Sequence, residues 1–369
     1  MKKIETQKYD TGIDVVRFVA FFCVFTHHFV FRGGNSISAE SDAFWTNSFI
    51  DAFLFFGSEG VTIFFCLSGY LLSKILIKEF YDTGRISVRS FYLRRMLRIW
   101  PLYFLYILFC LLGSDFLGNQ AIQSSELPAV LTFTYNWQQI YTGQSRGMAA
   151  ILWSISVEEQ IYFILPLLLI SFSAWKTRNL AIALILIGYV SRFLLSINDI
   201  SSYRNTLSYM STIGIGMYYA LNEARIKTIF HKYEKLHRVF SILFIFLYIF
   251  SFKSIFAEGY LNIVAFDMTA LLAILLLLML SGDQNQLSNK VLRPFAWLGR
   301  RTYGMYIFHW PILAFMVSRN IFFSETKGVS LVGILLGFVS VVSISAFSYR
   351  FFEKPFLDLR QKYQYIKIG

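Results

Sequence analysis

An apolar run from Gly12 to Phe31, GIDVVRFVAFFCVFTHHFVF, is about the length needed to cross a bilayer core of roughly 30 Å, yet Asp14, Arg17, His27 and His28 interrupt it. Each of these side chains costs about 2 kcal/mol or more against lipid, so in a spanning helix such groups face a bundle interior or a water-filled path. The run therefore has to be an enclosed helix among other helices. Arg17 and His28 are separated by roughly 1100° of helical rotation, about 20° from whole turns, and by about 16 Å of rise. They share one face, one near each end, while His27 points about 80° away. The competing reading is an Asp14–Arg17 pair at i, i+3 that neutralises itself, with the histidines at the headgroup boundary.

The rest of the chain supplies the other helices. With 56% hydrophobic and 15% charged residues, 369 residues are too apolar for a soluble domain. The expectation is an all-α, polytopic membrane helix bundle of about ten transmembrane helices, at roughly 12–32, 50–73, 99–113, 151–173, 179–197, 205–221, 239–252, 261–281, 302–318 and 329–349. The first run is too long and too charged for a signal-peptide core and no small-residue cleavage site follows it. The third span is short, with Pro101 in its first turn, where proline is tolerated.

With the N-terminus inside, 26 of the 34 Lys and Arg fall on inner segments and seven, Arg192 among them, on the outer side; both termini are then cytoplasmic. The net charge of +12 follows from that topology and from attraction to anionic membrane lipid, without a nucleic-acid partner. Only about twenty residues follow the last span, so residues 1–369 read as a single domain with no appended soluble domain. The stretch LPAVLTFTYNW is too short to span and is expected to re-enter or lie at the interface. Cys23, Cys66 and Cys110 lack metal or redox spacing and read as small buried hydrophobes.

Three constellations lie at consistent depths. In RSFYLRRMLRIWPLYF, Arg94, Arg95 and Arg98 sit at the inner mouth of the third span, Arg95 and Arg98 sharing a face at i, i+3. Guanidinium groups so spaced bind phosphates with paired hydrogen bonds; a plain positive-inside anchor is the alternative. In LWSISVEEQIYFILP, Glu158 and Glu159 lie about two turns into a span, so at least one carboxylate is in the apolar layer, at a depth similar to His28. A buried carboxylate there orients an imidazole and stabilises its protonated form, unless Trp153, Ser154 or Ser156 simply satisfies the glutamates. In TYGMYIFHWPI, His309 is isolated on an aromatic-rich helix and reads as packing, while Arg350, Glu353 and Lys354 mark the inner interface. No metal is expected, because His231 and His237 fall on the side opposite His27 and His28.

In this order, these segments resemble the acyltransferase-3 family of integral membrane O-acyltransferases over nearly the whole chain. The matching pieces are Arg17 with His28, GVTIFFCLSGYLL at 60–72, the RxxR of Arg95 and Arg98, WSISVEEQIYF at 153–163, YIFHWPI at 306–312 and SYRFFEKPF at 348–356. The resemblance implies a ten-helix fold that moves an acyl group, usually acetyl, from acyl-CoA as donor substrate to a hydroxyl of a glycan or other acceptor, with no permanently bound cofactor. By the family pattern His28 is the essential histidine and Glu158 the glutamate of the SxxxE element, both catalytic. Arg17 is the partner of His28, Arg95 and Arg98 are the RxxR pair, and the three arginines are expected to bind the donor. The implied setting is a bacterial cytoplasmic membrane with a surface polysaccharide, such as lipopolysaccharide, or a lipid-linked glycan as acceptor.

Whether His28 serves as base or carries the acyl group is left open by these residues. A secondary transporter or flippase for a glycan or small anionic solute is the alternative class, but the paired halves with broken helices common in transporters are not evident.

Overall fold

A computed structural model describes residues 11–32, 52–113, 122–143, 147–170, 174–198, 200–252, 261–281, 286–319, 321, 323–324, 328–329 and 331–363. The helices are α1 (Thr11–Arg32), α2 (Gly60–Thr83), α3 (Val88–Leu112), α4 (Leu127–Leu131), α5 (Tyr135–Thr142), α6 (Leu152–Ile170) and α7 (Ala174–Ser196). There follow α8 (Met210–Lys232), α9 (Glu234–Ser251), α10 (Asn262–Leu280), α11 (Gln286–Gly299), α12 (Thr302–Ser318), α13 (Leu331–Ser348) and α14 (Lys354–Gln361). The all-α expectation holds, apart from an antiparallel ladder that pairs Phe323 with Val329 and Ser324 with Gly328.

Seven of these segments are long and apolar enough to cross a membrane unaided: Thr11–Phe29, Ala52–Thr83, Val88–Leu112, Met148–Ile170, Lys176–Ser196, Asn262–Leu280 and Val332–Arg360. The other three expected spans are helical but fall short for identifiable reasons. The second half of α8 carries Glu223, Arg225, Lys227 and Lys232, and α9 opens with Glu234, Lys235 and Arg238. The 17 residues of α12 rise only about 25 Å. Buried in the centre among other helices, α12 has no need to meet lipid along its length.

Helices divide into enclosed and lipid-facing sets. α1, α2, α6 and the first half of α8 are mostly buried, whereas α7 exposes Ile182, Leu186, Val190 and Phe193 and α13 exposes Leu335, Val339 and Phe347. Apolar side chains on the outside of a helical bundle are what a bilayer solvates. α2 and α8 cross at glycines: a Cβ on Gly69 would lie 2.5 Å from Ile213 O, and one on Gly216 2.3 Å from Cys66 O. Small residues let backbones approach in this way where no hydrophobic effect drives helices together.

Two expectations are corrected. The third span is not short: α3 starts at Val88, where the Ser87 hydroxyl caps the Ser90 N–H (3.4 Å), and Pro101 sits in its interior. Arg94, Arg95 and Arg98 thus ride on the helix itself. Arg192, counted above on the outer side, lies inside α7 and is 1% exposed. Its guanidinium donates to Asp267 Oδ2 (2.7 Å), Ser211 Oγ (2.6 Å), Ser208 O (2.5 Å) and Ile263 O (2.6 Å). A buried charge is tolerated when it is paired and hydrogen-bonded, and this one ties α7, α8 and α10 together.

The LPAVLTFTYNW stretch folds as α4 and α5. Tyr103 of α3 donates to Val130 O (2.7 Å), and Gln160 of α6 donates to Phe133 O (2.7 Å) and to Asn136 Oδ1 (2.8 Å). These bonds seat the segment against α3 and α6, whose side chains donate to its backbone carbonyls.

Candidate active site

A cavity of about 440 Å³ opens among α1, α2, α3, α6, α12 and α14, and Arg17, Arg95, Arg98 and Glu158 all line it. Residues spread over 142 positions of sequence thus share one space, which no helical periodicity predicts. Eight Lys and Arg line the cavity against four carboxylates. Its field favours an anionic occupant.

Each lining group has a defined setting. Arg17 makes the i, i+3 contact with Asp14 (3.5 Å), and Arg300 of the turn after α11 approaches the same carboxylate (3.7 Å). The self-neutralising pair considered from sequence therefore exists, and Arg17 still faces the cavity. Arg95 lies over the rings of Tyr162 (5.1 Å) and Phe91 (5.6 Å), a cation–π setting that fixes its plane.

Glu158 and Glu159 part company. Glu158 Oε1 accepts from Ser68 Oγ (3.1 Å) and from Tyr162 Oη, at the cavity wall. Glu159 Oε2 accepts from Trp100 Nε1 (2.9 Å), clamping α6 to α3. The expected imidazole contact of Glu158 is thus replaced by two hydroxyls, one from α2 and one from its own next turn.

His28 meets a different partner. Its Nδ1 lies 2.9 Å from His309 Nε2, the two rings are nearly coplanar at 7°, and Trp310 stands edge-on to it at 4.9 Å. His309 is 0% exposed and its Nδ1 bonds the carbonyl of Tyr306. A carbonyl only accepts, so that Nδ1 carries the proton and Nε2 of a neutral His309 is the acceptor. His28 Nδ1 then donates to it, which makes Nε2 the basic nitrogen of His28. This is the arrangement of a base held in one tautomer by a third group.

Tyr306 connects the two regions. It lines the cavity, its hydroxyl shares a hydrogen bond with Ser154 Oγ (2.7 Å), and its carbonyl holds His309. His27, by contrast, bonds Leu54 O through Nδ1 (2.8 Å) and anchors the chain that leads into α2.

Sequence reasoning missed His309, Tyr306, Ser68 and Tyr162. The signal for His309 was present as an ionisable residue within an apolar segment, but its partner is 281 positions away. Among the described residues, no group of three His, Cys, Asp or Glu is placed to hold a metal ion.

Apolar helices long enough to cross a membrane, around an interior cavity lined by arginines and carboxylates, define a multi-pass integral membrane protein. The chain belongs to the acyltransferase-3 family, whose model, described as acyltransferase domain, matches residues 10–350. It is similar to the peptidoglycan O-acetyltransferase OatA of Listeria monocytogenes, with 24% identity over 95% of this chain and 56% of that protein. It is also similar to a candidate O-acetyltransferase of Staphylococcus aureus, at 24% identity over 96% of this chain and 58% of the relative. YrhL of Bacillus subtilis, a candidate peptidoglycan O-acetyltransferase, matches at 24% over 96% and 56%. The chain therefore spans somewhat more than half the length of these relatives. No solved structure matches it.

Proposed function

We propose that the protein is a membrane-bound O-acyltransferase that moves an acetyl group from acetyl-CoA, bound from the cytoplasmic side, to a hydroxyl of an extracytoplasmic or lipid-linked glycan. The observation that carries this reading is the shared cavity of Arg17, Arg95, Arg98 and Glu158, joined at Tyr306 to the His309–His28 pair. Coenzyme A is a polyphosphate of the cytoplasm, and arginine forks suit its phosphates. The count of basic residues supports both termini, and the end of the cavity that carries the arginines, facing inward. A glycan acceptor is suggested by the names of the relatives.

In the proposed reaction the acceptor hydroxyl oxygen attacks the thioester carbonyl, and His28 Nε2 takes the hydroxyl proton. Collapse of the tetrahedral intermediate breaks the C–S bond, and the thiolate of coenzyme A leaves, recovering the proton. A neutral imidazole with an ordinary pKa of about 6.5 suits proton transfer near neutral pH. His309 is a positioning residue, holding the tautomer that presents Nε2. Arg17 would stabilise charge along the donor path. A transporter or flippase reading gains nothing from the family to which the chain belongs.

Inverted membrane vesicles given radiolabelled acetyl-CoA, with and without extracted surface glycan, test the reading. Label should pass to the glycan with wild-type protein and with His27→Ala, and fall to background with His28→Ala. Equal losses for both variants at equal membrane expression would sink the assignment of roles. Label that never leaves the donor would sink the activity.

A further inference from the structure

The C-terminal helix α14 places Arg360 at the cavity. It packs along α3, and Arg360 lines the same space as Arg95 and Arg98. Its Nε–H is buried and has no hydrogen-bond partner among the described residues. A buried donor left unmade costs about 1–3 kcal/mol. The guanidinium also lies in the repulsive field of Arg98, Arg95 and Arg17, cations from two other helices.

Two of the nearby carboxylates are already engaged. Asp14 is approached by Arg17 and Arg300, Glu353 accepts from Ser348 Oγ (3.1 Å) in the field of Arg98 and Arg301, and Asp358 is exposed on α14. An arginine with an unsatisfied buried donor, crowded by other arginines, is suited to hold an anion. Only an added anion with several acceptor oxygens relieves both costs together, and a phosphate fits the geometry of guanidinium forks.

We propose that Arg360 is a phosphate ligand, and that α14 closes the arginine-lined end of the cavity around a phosphate of the acyl-CoA donor. This rests on the donor reading above. Phosphate oxygens occur equally on lipid headgroups, and the test separates the two sources.

The full chain in nanodiscs of neutral phosphatidylcholine is titrated with coenzyme A, and separately placed in discs containing anionic phosphatidylglycerol, reading Kd and thermal midpoint. Arg360→Gln should weaken coenzyme A binding roughly 10- to 100-fold, as expected for a lost charge-assisted contact. Its unliganded midpoint should stay level or rise, because one of several like charges is gone. Arg360→Lys, which keeps the charge but loses the fork, should fall between. A lowered unliganded midpoint with coenzyme A affinity intact would assign Arg360 to structure and overturn the proposal. Loss confined to stabilisation by phosphatidylglycerol would overturn it in favour of a lipid headgroup. Arg95→Gln and Arg98→Gln serve as the control. If they weaken coenzyme A binding and Arg360→Gln does not, the role of α14 alone falls; if none of the three does, the donor reading falls as well.

Discussion

Hydrogen-bond direction, more than proximity, sets which nitrogen of His28 carries the proton. The Tyr306 carbonyl fixes the proton on His309 Nδ1, and that fixes the donor on His28 Nδ1, so one backbone oxygen sets the tautomer two rings away. His309→Ala should lower kcat roughly 10- to 100-fold, the range seen when a partner that orients a functional imidazole is lost. The KM for acetyl-CoA should hardly move, since the donor's arginines are untouched. His309→Asn, whose side-chain oxygen still accepts from Nδ1–H, should recover part of the loss. A rise in KM with kcat unchanged would mean that His309 shapes the donor site instead. Arg95→Gln and Arg98→Gln should show the opposite split, a raised KM for acetyl-CoA, because phosphate contacts supply mostly ground-state affinity. Of these residues, Arg17, His28 and Glu158 were legible in the sequence, because a charged group in an apolar run advertises its own cost, and Arg95 and Arg98 by their i, i+3 spacing. His309 carried the same mark but read as packing, since periodicity along one helix says nothing about a partner on another. Glu158 was legible as a carboxylate within an apolar run, while its partners Ser68 and Tyr162 are small or aromatic groups that an apolar helix carries without comment.

Between elements, close packing and a few ion pairs decide where the cavity walls stand. The α2–α8 crossing depends on Gly69 and Gly216, where a methyl group would meet backbone at 2.5 and 2.3 Å. Gly216→Ala should cost roughly 1–3 kcal/mol by overpacking, read as a lower thermal midpoint in detergent. At the end of this crossing Lys74 of α2 and Lys227 both pair with Glu223 of α8 at 2.7 Å. Burial raises the Glu223 pKa, but hydrogen bonds from Lys227 and Lys74 outweigh it and hold the carboxyl below its ordinary value. A depressed carboxylate stabilises the fold fully above the unfolded pKa of about 4.3, and the contribution is lost as pH falls from there through the lower folded value. Glu223→Gln should therefore melt below wild type at pH 7, by roughly 0.5–1 kcal/mol, and the two should converge under acid conditions. A gap that persists at acid pH would assign the loss to packing. The spans at 12–32 and 261–281 were legible because apolar length is a sequence property. The start of α3 at Val88 was not: its first turns carry four arginines and look like loop until a capping serine and a packed α14 are in place.

For the molecule as a whole, the proposed activity requires two entrances on opposite sides of a membrane. The arginine-lined end lies with Arg17, near the start of α1, and His28 stands about 16 Å further along the same helix. That separation would let a cytoplasmic donor and an external acceptor meet inside the bundle without either crossing it. The three native cysteines, Cys23, Cys66 and Cys110, are buried, so a single introduced cysteine reports its own surroundings. Tyr233→Cys and Tyr141→Cys replace exposed side chains, the first on the basic segment between α8 and α9 and the second at the end of α5. An impermeant thiol reagent should label position 233 only in inverted vesicles and position 141 only in right-side-out cells. Lys78→Cys, on the cavity wall, should label from the same side as position 233 and be protected by coenzyme A. The 26 basic residues on the segments assigned to the inner side argue for this polarity. Labelling of positions 141 and 233 from one side would overturn the topology. Protection of position 78 by glycan but not by coenzyme A would reverse the direction of transfer, because the arginine-lined end would then belong to the acceptor.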